Sequence, residues 1–410
     1  MTEKTSIYTD IKNNLPAVFI LMVGFMPGML NDYAVYLLVL MLPLMWCYGF
    51  LKFTENSVMC LIFGIVFALA YKSHTDIPSS AFVMYLLFPF ISYQSGQFIF
   101  KRFRKVDSFS ILFIILAVCI GFYTIFLCIK DFFDTGQIVN VTRSIGIDED
   151  VWEKDAEAIG IGATNMGVYV SLLLGIFGLV CVKADNSSER IVRILAVSGA
   201  VLGFYVTIHL LNRTGLLLMM ISVLIGFTRP PLSAAKIGVG LLVILIAASL
   251  LSIVVQSNEI VQKAIEGYAD RNDVVGYGIA SAGGRTDRWA AAFEQIPTIP
   301  LGAPQLDFPG FETYAHNLFL DTFIIGGWAS GILMIIMMAR FIMNSVTVLT
   351  KSRLNRFTKA FFLMIVVVMI LQCMVEPILQ SSFPYFCLLL FFWAFINDLS
   401  HSDIMKKEDE

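Results

Sequence analysis

Apolar stretches recur along most of the chain, each ended by charges or turn residues. They lie near 15–30, 33–50, 57–71, 77–99, 108–130, 159–182, 191–211, 214–228, 237–256, 317–339, 358–376 and 383–398. A helix rises ~1.5 Å per residue, so about 20 apolar residues cross a hydrocarbon layer. The pattern therefore predicts an all-α polytopic membrane protein with about 12 transmembrane helices, the whole of 1–410 forming one membrane domain. The first run begins near Leu15 without a small-residue cleavage site and reads as a retained span rather than a signal peptide.

Composition agrees with the pattern. Of 410 residues, 58% are hydrophobic and only 14% charged, and the mean hydropathy is +0.79. These values exclude a soluble enzyme, a disordered chain and a collagen- or disulfide-type scaffold. A net charge of -3 gives no support for a nucleic-acid partner. The seven cysteines lie in or beside apolar runs, with no CxxC and no Cys/His pair at metal spacing. They read as small apolar side chains in helices.

Charge sets the orientation. Lys101-Arg-Phe-Arg-Lys105 puts four cations in five residues at one membrane face. With that face cytoplasmic, twelve spans leave both termini inside, and 19 of the 28 Lys and Arg fall on the cytoplasmic side. Two outer segments are long: 131–158, and 257–315 between spans nine and ten. Long loops tend to carry function, so the working part is expected to face outward.

Three outer segments hold the candidate chemistry. Asn212-Arg-Thr-Gly215 separates two apolar runs with almost no loop, which sets Arg213 at the outer membrane boundary. A guanidinium there either snorkels or meets an anion. Gly283-Gly-Arg-Thr-Asp-Arg-Trp289 precedes a predicted short helix over Thr286–Gln295, with Arg285 and Arg288 on one face. Their forks of donors suit phosphate oxygens; the alternative is pairing with Asp287 or Glu294. Thr313-Tyr-Ala-His-Asn-Leu-Phe-Leu-Asp321 opens span ten, with His316 as base, acid or donor, Asn317 as a sugar-hydroxyl contact, and Asp321 to orient or pair with His316. Tyr314 in this segment and Arg143 in the first long loop complete the candidate substrate contacts. The outer loops contain no paired Asp-x-Asp; Asp148-Glu-Asp150 comes nearest and reads as a solvated acidic face.

Arg213-Thr-Gly215, Gly284-Arg-Thr-Asp-Arg-Trp289 and His316-Asn317, in this order and on the outer side, resemble the motif set of the O-antigen ligase and polymerase superfamily. Gly160-Ile-Gly-Ala-Thr-Asn165 is similar to a small-residue segment of the same proteins. The resemblance covers roughly 160–330 by motif and the whole chain by span count. It implies an integral C-type glycosyltransferase in a bacterial inner membrane, with its active site facing the periplasm. It further implies transfer of an undecaprenyl-diphosphate-linked oligosaccharide to a glycan acceptor, with no metal and no other cofactor. Membrane lipids and a chain-length regulator are the other partners expected.

On that resemblance, Arg213, Arg285 and Arg288 stabilise the leaving diphosphate, and His316 acts as general base or as a donor to the diphosphate. Arg143, Tyr314, Asn317 and Asp321 are its substrate contacts, while Asp150, Glu153, Asp155, Glu312 and Asp321 leave an acidic base open. No obvious nucleophile pair of carboxylates occurs, so inversion at the anomeric carbon is expected. The compact stretch from Arg285 to His316 and the scarcity of outer cations favour a polymerase over a ligase acting on lipid A core. A flippase for lipid-linked glycans is the lesser alternative. Transport would want ionisable groups at mid-membrane, whereas Glu376-Pro377 sits at a span end.

Overall fold

The computed structural model describes residues 7–27, 33–103, 105–140, 144–145, 161–210, 212–228, 285–308 and 311–402. In chain order the helices are α1 (Ile7–Asn13), α2 (Leu15–Gly24), α3 (Met41–Cys47), α4 (Glu55–His74), α5 (Ser79–Arg102), α6 (Val106–Thr135) and α7 (Ala163–Gly175). There follow α8 (Ser187–His209), α9 (Arg213–Thr228), α10 (Arg285–Gln295), α11 (Leu318–Lys351), α12 (Arg356–Val375), α13 (Ile378–Ser381) and α14 (Phe383–Ser400). Every predicted apolar run carries helix except 237–256, which lies outside the described residues.

Among the described residues, six helices are long and apolar enough to cross a membrane: α4, α6, α8, α11, α12 and α14. Four apolar helical segments are shorter, namely Leu15–Gly24, Val35–Cys47, Met166–Cys181 and Arg213–Thr228. Large apolar side chains such as Phe19, Trp46, Ile194 and Met343 stay exposed, as lipid-facing groups do. The fold is that of a helical, membrane-embedded protein.

Two departures from the purely helical expectation are short strand pairs. Ser144–Ile145 (β1) pairs antiparallel with Ile161–Gly162 (β2), so helix begins at Ala163 rather than at 159. Leu306–Phe308 (β3) pairs with Phe311–Thr313 (β4). Such pairing satisfies backbone groups that lack a helical partner.

The chain forms two compact units, one of Met1–Ile120 with Arg285–Glu410 and the other of Gly121–Gly284, the boundary falling within α6. In the first unit α14 packs on α5 and α11, and α4 lies against α5 and α11. Nearly all of α14 is buried, as expected of a helix apolar on every side. Phe109 stacks on Phe395 with ring centroids 3.3 Å apart, and Tyr93 meets Trp393 edge-on at 4.9 Å. α5 carries Ser92, Gln94, Ser95 and Gln97, all buried inside the unit rather than turned to lipid.

Local rules fix the helix ends. Thr54 and Ser57 form a capping box on α4, and Asn355 caps α12 through Thr358 N–H at 2.9 Å. α12 stops at Val375 because Pro377 forces Glu376 into extended backbone (φ -135, ψ 150). α11 runs to Lys351, well past the predicted 339, and is broken at Gly327 (φ 69, ψ -175). Segment 300–303 fills the break. Trp328 N–H donates to Pro300 O at 3.0 Å, and Ala303 N–H donates to Ile324 O at 2.6 Å. The ring of His74 on α4 donates from Nε2 to Ile325 O at 2.8 Å. Gly302 (φ 96) lies against the break, and a Cβ there would meet Ile325 O at 2.5 Å. Both glycines are needed, for left-handed backbone and for close approach.

In the second unit α7, α8 and α9 pack together, and Ser222 of α9 accepts from Gly178 N–H at 3.1 Å where α7 has ended. His209, at the end of α8, is fully buried. Its Nδ1 lies 2.9 Å from Ile138 O and its Nε2 2.8 Å from the Asp131 carboxylate. Asn140 donates to the same carboxylate at 3.0 Å. All seven cysteines are free thiols.

Candidate active site

The polar cluster of the first unit is built where α10, the segment before α11 and the end of α12 meet. Each piece is held by its own local chemistry. Helix α10 begins at Arg285, one residue before the predicted start, and ends at Gln295 as predicted. Its Trp289 donates from Nε1 to Ala315 O at 2.9 Å, tying α10 to the residue before His316.

The backbone around His316 is clamped. Asp321, 1% exposed, accepts from Ala315 N–H at 2.7 Å and from Asn317 N–H at 3.1 Å. The carboxylate thus holds the amides on either side of His316. Asn317 caps α11, its Oδ1 accepting from Phe319 and Leu320 N–H at 3.0 and 3.3 Å. Its Nδ2 donates to Met374 O at 3.1 Å, which joins this turn to the end of α12. His316 itself takes a left-handed backbone, φ 55, among the non-glycine residues the structure describes. That conformation costs on the order of 1 kcal/mol or more and persists only where neighbours over-determine it.

Glu376 joins the pieces. Its side chain is 3% exposed, and Oε1 accepts from Arg285 Nη2 at 3.1 Å. Its other oxygen faces His316 Nδ1 at 3.9 Å. Neither of those two buried atoms has a hydrogen-bond partner among the described residues. Arg285 and His316 are a quarter and a fifth exposed, so the cluster opens on one side. Four residues beyond Glu376, the buried amide oxygen and nitrogen of Gln380 are likewise unpartnered among the described residues.

Burial pushes the His316 imidazole below its ordinary value, Glu376 pulls it back up, and the Arg288 and Arg285 guanidinium groups push it down again. The ring is therefore neutral at pH 7. A carboxylate opposite Nδ1 favours the tautomer with its proton there, leaving Nε2 as the acceptor. Tyr314, half-buried beside this turn, has its hydroxyl pushed up to about 12 by burial and stays a neutral donor.

Of the residues chosen from sequence, Arg285, Arg288, Tyr314, His316, Asn317 and Asp321 belong to the first unit, where Arg285 and His316 converge on Glu376. Asp321 serves the backbone beside His316 through both oxygens, and Asn317 works as a cap. Arg213 is in the second unit, exposed on the first turn of α9, while Asn212 accepts from Gly215 N–H at 2.9 Å. Its guanidinium and the helix N-terminus both present positive charge there. Arg143 and the acidic positions 148–155 lie outside the described residues. The residue missed from sequence is Glu376, although it is the sole charged side chain between Lys359 and Asp398. That isolation in an apolar run was a usable signal.

No family model matches the chain, and no curated protein matches it.

Proposed function

We propose that this chain is a surface-polysaccharide polymerase of the inner membrane, acting at the periplasmic face with both termini in the cytoplasm. It moves a glycan from undecaprenyl diphosphate onto the non-reducing end of another lipid-linked repeat unit. The observation that carries the reading is the convergence of Arg285 and His316 on one buried carboxylate at the ends of apolar helices. A guanidinium fork and a neutral imidazole are thereby held together, which supports phosphate recognition beside a general base.

In this mechanism an acceptor sugar hydroxyl gives its proton to Nε2 of His316 as its oxygen attacks the anomeric carbon. The bond from that carbon to the diphosphate oxygen breaks, with inversion. The negative charge gathering on the diphosphate is met by Arg285 and Arg288. Glu376 faces Nδ1 and stabilises the imidazolium that forms. Hydrogen bonds at a resting site are often long and tighten when substrate is bound, as the 3.9 Å separation requires. Direct attack uses no enzyme nucleophile; among the described residues Glu376 is the carboxylate that faces His316.

The test uses purified protein in lipid with an undecaprenyl-diphosphate repeat unit as the one substrate and metal chelated, comparing wild type, Arg285→Ala and His316→Ala. A ladder of longer lipid-linked glycans, lost by ~10²-fold or more in both variants, is the expected result. Transfer that appears only after lipid A core is added replaces the polymerase with a ligase. No new glycosidic bond with either acceptor overturns the reading and returns the protein to transport.

A further inference from the structure

The opposite end of the first unit has charged and polar groups of its own. There Glu55 pairs with Arg340, whose Nη1 also donates to Asn56 at 2.7 Å, and Asn344 donates to Asn397 at 2.8 Å. Beside this network a cavity of about 310 Å³ opens between the segment before α4, the end of α5 and the end of α14. Phe50 and Phe100 line it together with Lys52, Lys101, Asp398 and His401.

Its charge is unbalanced. Asp398 already accepts from Gln97 Nε2 at 3.0 Å and from Asn397 Nδ2 at 3.2 Å. Neither Lys52 nor Lys101 has a carboxylate within ion-pair distance among the described residues. The backbone of Lys52 is fixed by Gln94, whose Nε2 donates to its carbonyl at 2.6 Å, and Lys101 lies 5.1 Å from the Phe50 ring. His401 turns Nδ1 to Asn397 O at 2.8 Å, leaving Nε2 for another partner.

The surroundings say what kind of anion reaches this cavity. Trp46, Tyr48 and Phe53, next to it in the chain, are 75%, 47% and 69% exposed, an aromatic belt of the type that marks a membrane–water boundary. Arg102 lies over Tyr48 at 4.6 Å, at the same helix end. Basic pockets between helices at such a boundary take lipid head groups. A cavity of this volume is at the small end for ligands and suits a head group rather than acyl chains.

We infer that the cavity lined by Lys52 and Lys101 binds the phosphate head group of an anionic phospholipid. The lipid tails run along the exposed apolar helix surface, and the phosphate sits between the two ammonium groups. The site is independent of the Arg285–Glu376–His316 cluster and of the activity proposed for it.

The experiment places the full-length protein in nanodiscs of equimolar phosphatidylcholine and phosphatidylglycerol and identifies, by native mass spectrometry, the lipids retained on release. Wild type is expected to retain phosphatidylglycerol about tenfold over phosphatidylcholine, two ammonium groups each contributing. Lys52→Gln/Lys101→Gln is expected to lose that preference, and Lys52→Arg/Lys101→Arg to keep it. Both lysines are exposed, so the thermal midpoint is expected to be unchanged in each double variant. Equal retention of the two lipids by wild type, or undiminished preference in the glutamine variant, overturns the inference. So does displacement of phosphatidylglycerol by millimolar inorganic phosphate, which would make this a free-phosphate site.

Discussion

His316 is held in a backbone conformation that favours glycine, asparagine and aspartate over branched residues. His316→Asn and His316→Val both remove the imidazole, but the valine variant is expected to be less stable by ~1 kcal/mol or more in thermal unfolding. Its titration has a fixed sign. The folded-state value lies below the ordinary 6.5, so the folded chain binds fewer protons than the unfolded one. Stability from this group is whole above about 6.5 and falls as pH drops below it. Catalysis by a neutral base should fail on the same acid side. Glu376→Gln removes the influence that raises His316 and should carry the acid limb of kcat/KM to lower pH. Were the limb to stay in place or move up, Glu376 would not act on this ring. The Arg285–Glu376 pair gives a separate test through stability. Arg285→Ala strands a buried carboxylate and should cost ~1–3 kcal/mol, discounted for the guanidinium's partial exposure. Glu376→Gln leaves the more exposed partner and should cost less. The double variant should regain stability relative to Arg285→Ala alone.

Among elements, α11 and the end of α8 depend most on distant neighbours. Gly327→Ala and Gly302→Ala each place a Cβ against backbone where φ is positive, and each should lower the melting temperature, with a loss of about 2 kcal/mol or more. Gly136→Ala shares the positive φ but meets open space, so it isolates the conformational part of that cost. In the second unit, His209 faces a carbonyl at Nδ1 and a carboxylate at Nε2. Asp131→Asn should loosen the end of α6 and the segment to Asn140, seen as faster amide exchange there. The elements were the legible part of the sequence. The apolar runs, the extent of α10 and the His-Asn start of α11 all follow from local periodicity, glycine and capping chemistry. What was illegible is pairing at a distance. Arg285 and Glu376 are 91 residues apart, and His74 and Ile325 are 251 apart. Nothing local to His74 marks it as the group that completes another helix, and Asp321 looked like a partner for an imidazole because backbone amides carry no sequence signature.

For the whole molecule, the charge bias predicts which groups a membrane-impermeant reagent reaches. In a cysteine-free background, Thr298→Cys should label from the periplasmic side and Ser402→Cys only after the membrane is opened; the reverse pattern would invert the orientation. The break in α11 has a consequence for biogenesis. A span inserted alone into lipid must satisfy its own backbone, and one that cannot is costly by several kcal/mol. In α11 the carbonyls of Ile324 and Ile325 and the amide of Trp328 are completed by Ala303, His74 and Pro300, none of them in that helix. The helix therefore cannot settle at the moment of insertion. It has to wait for the segment ahead of it to fold back and for α4 to be already in place, so the chain's order of synthesis, α4 first and 300–303 immediately before α11, is also the order in which its membrane part can be assembled.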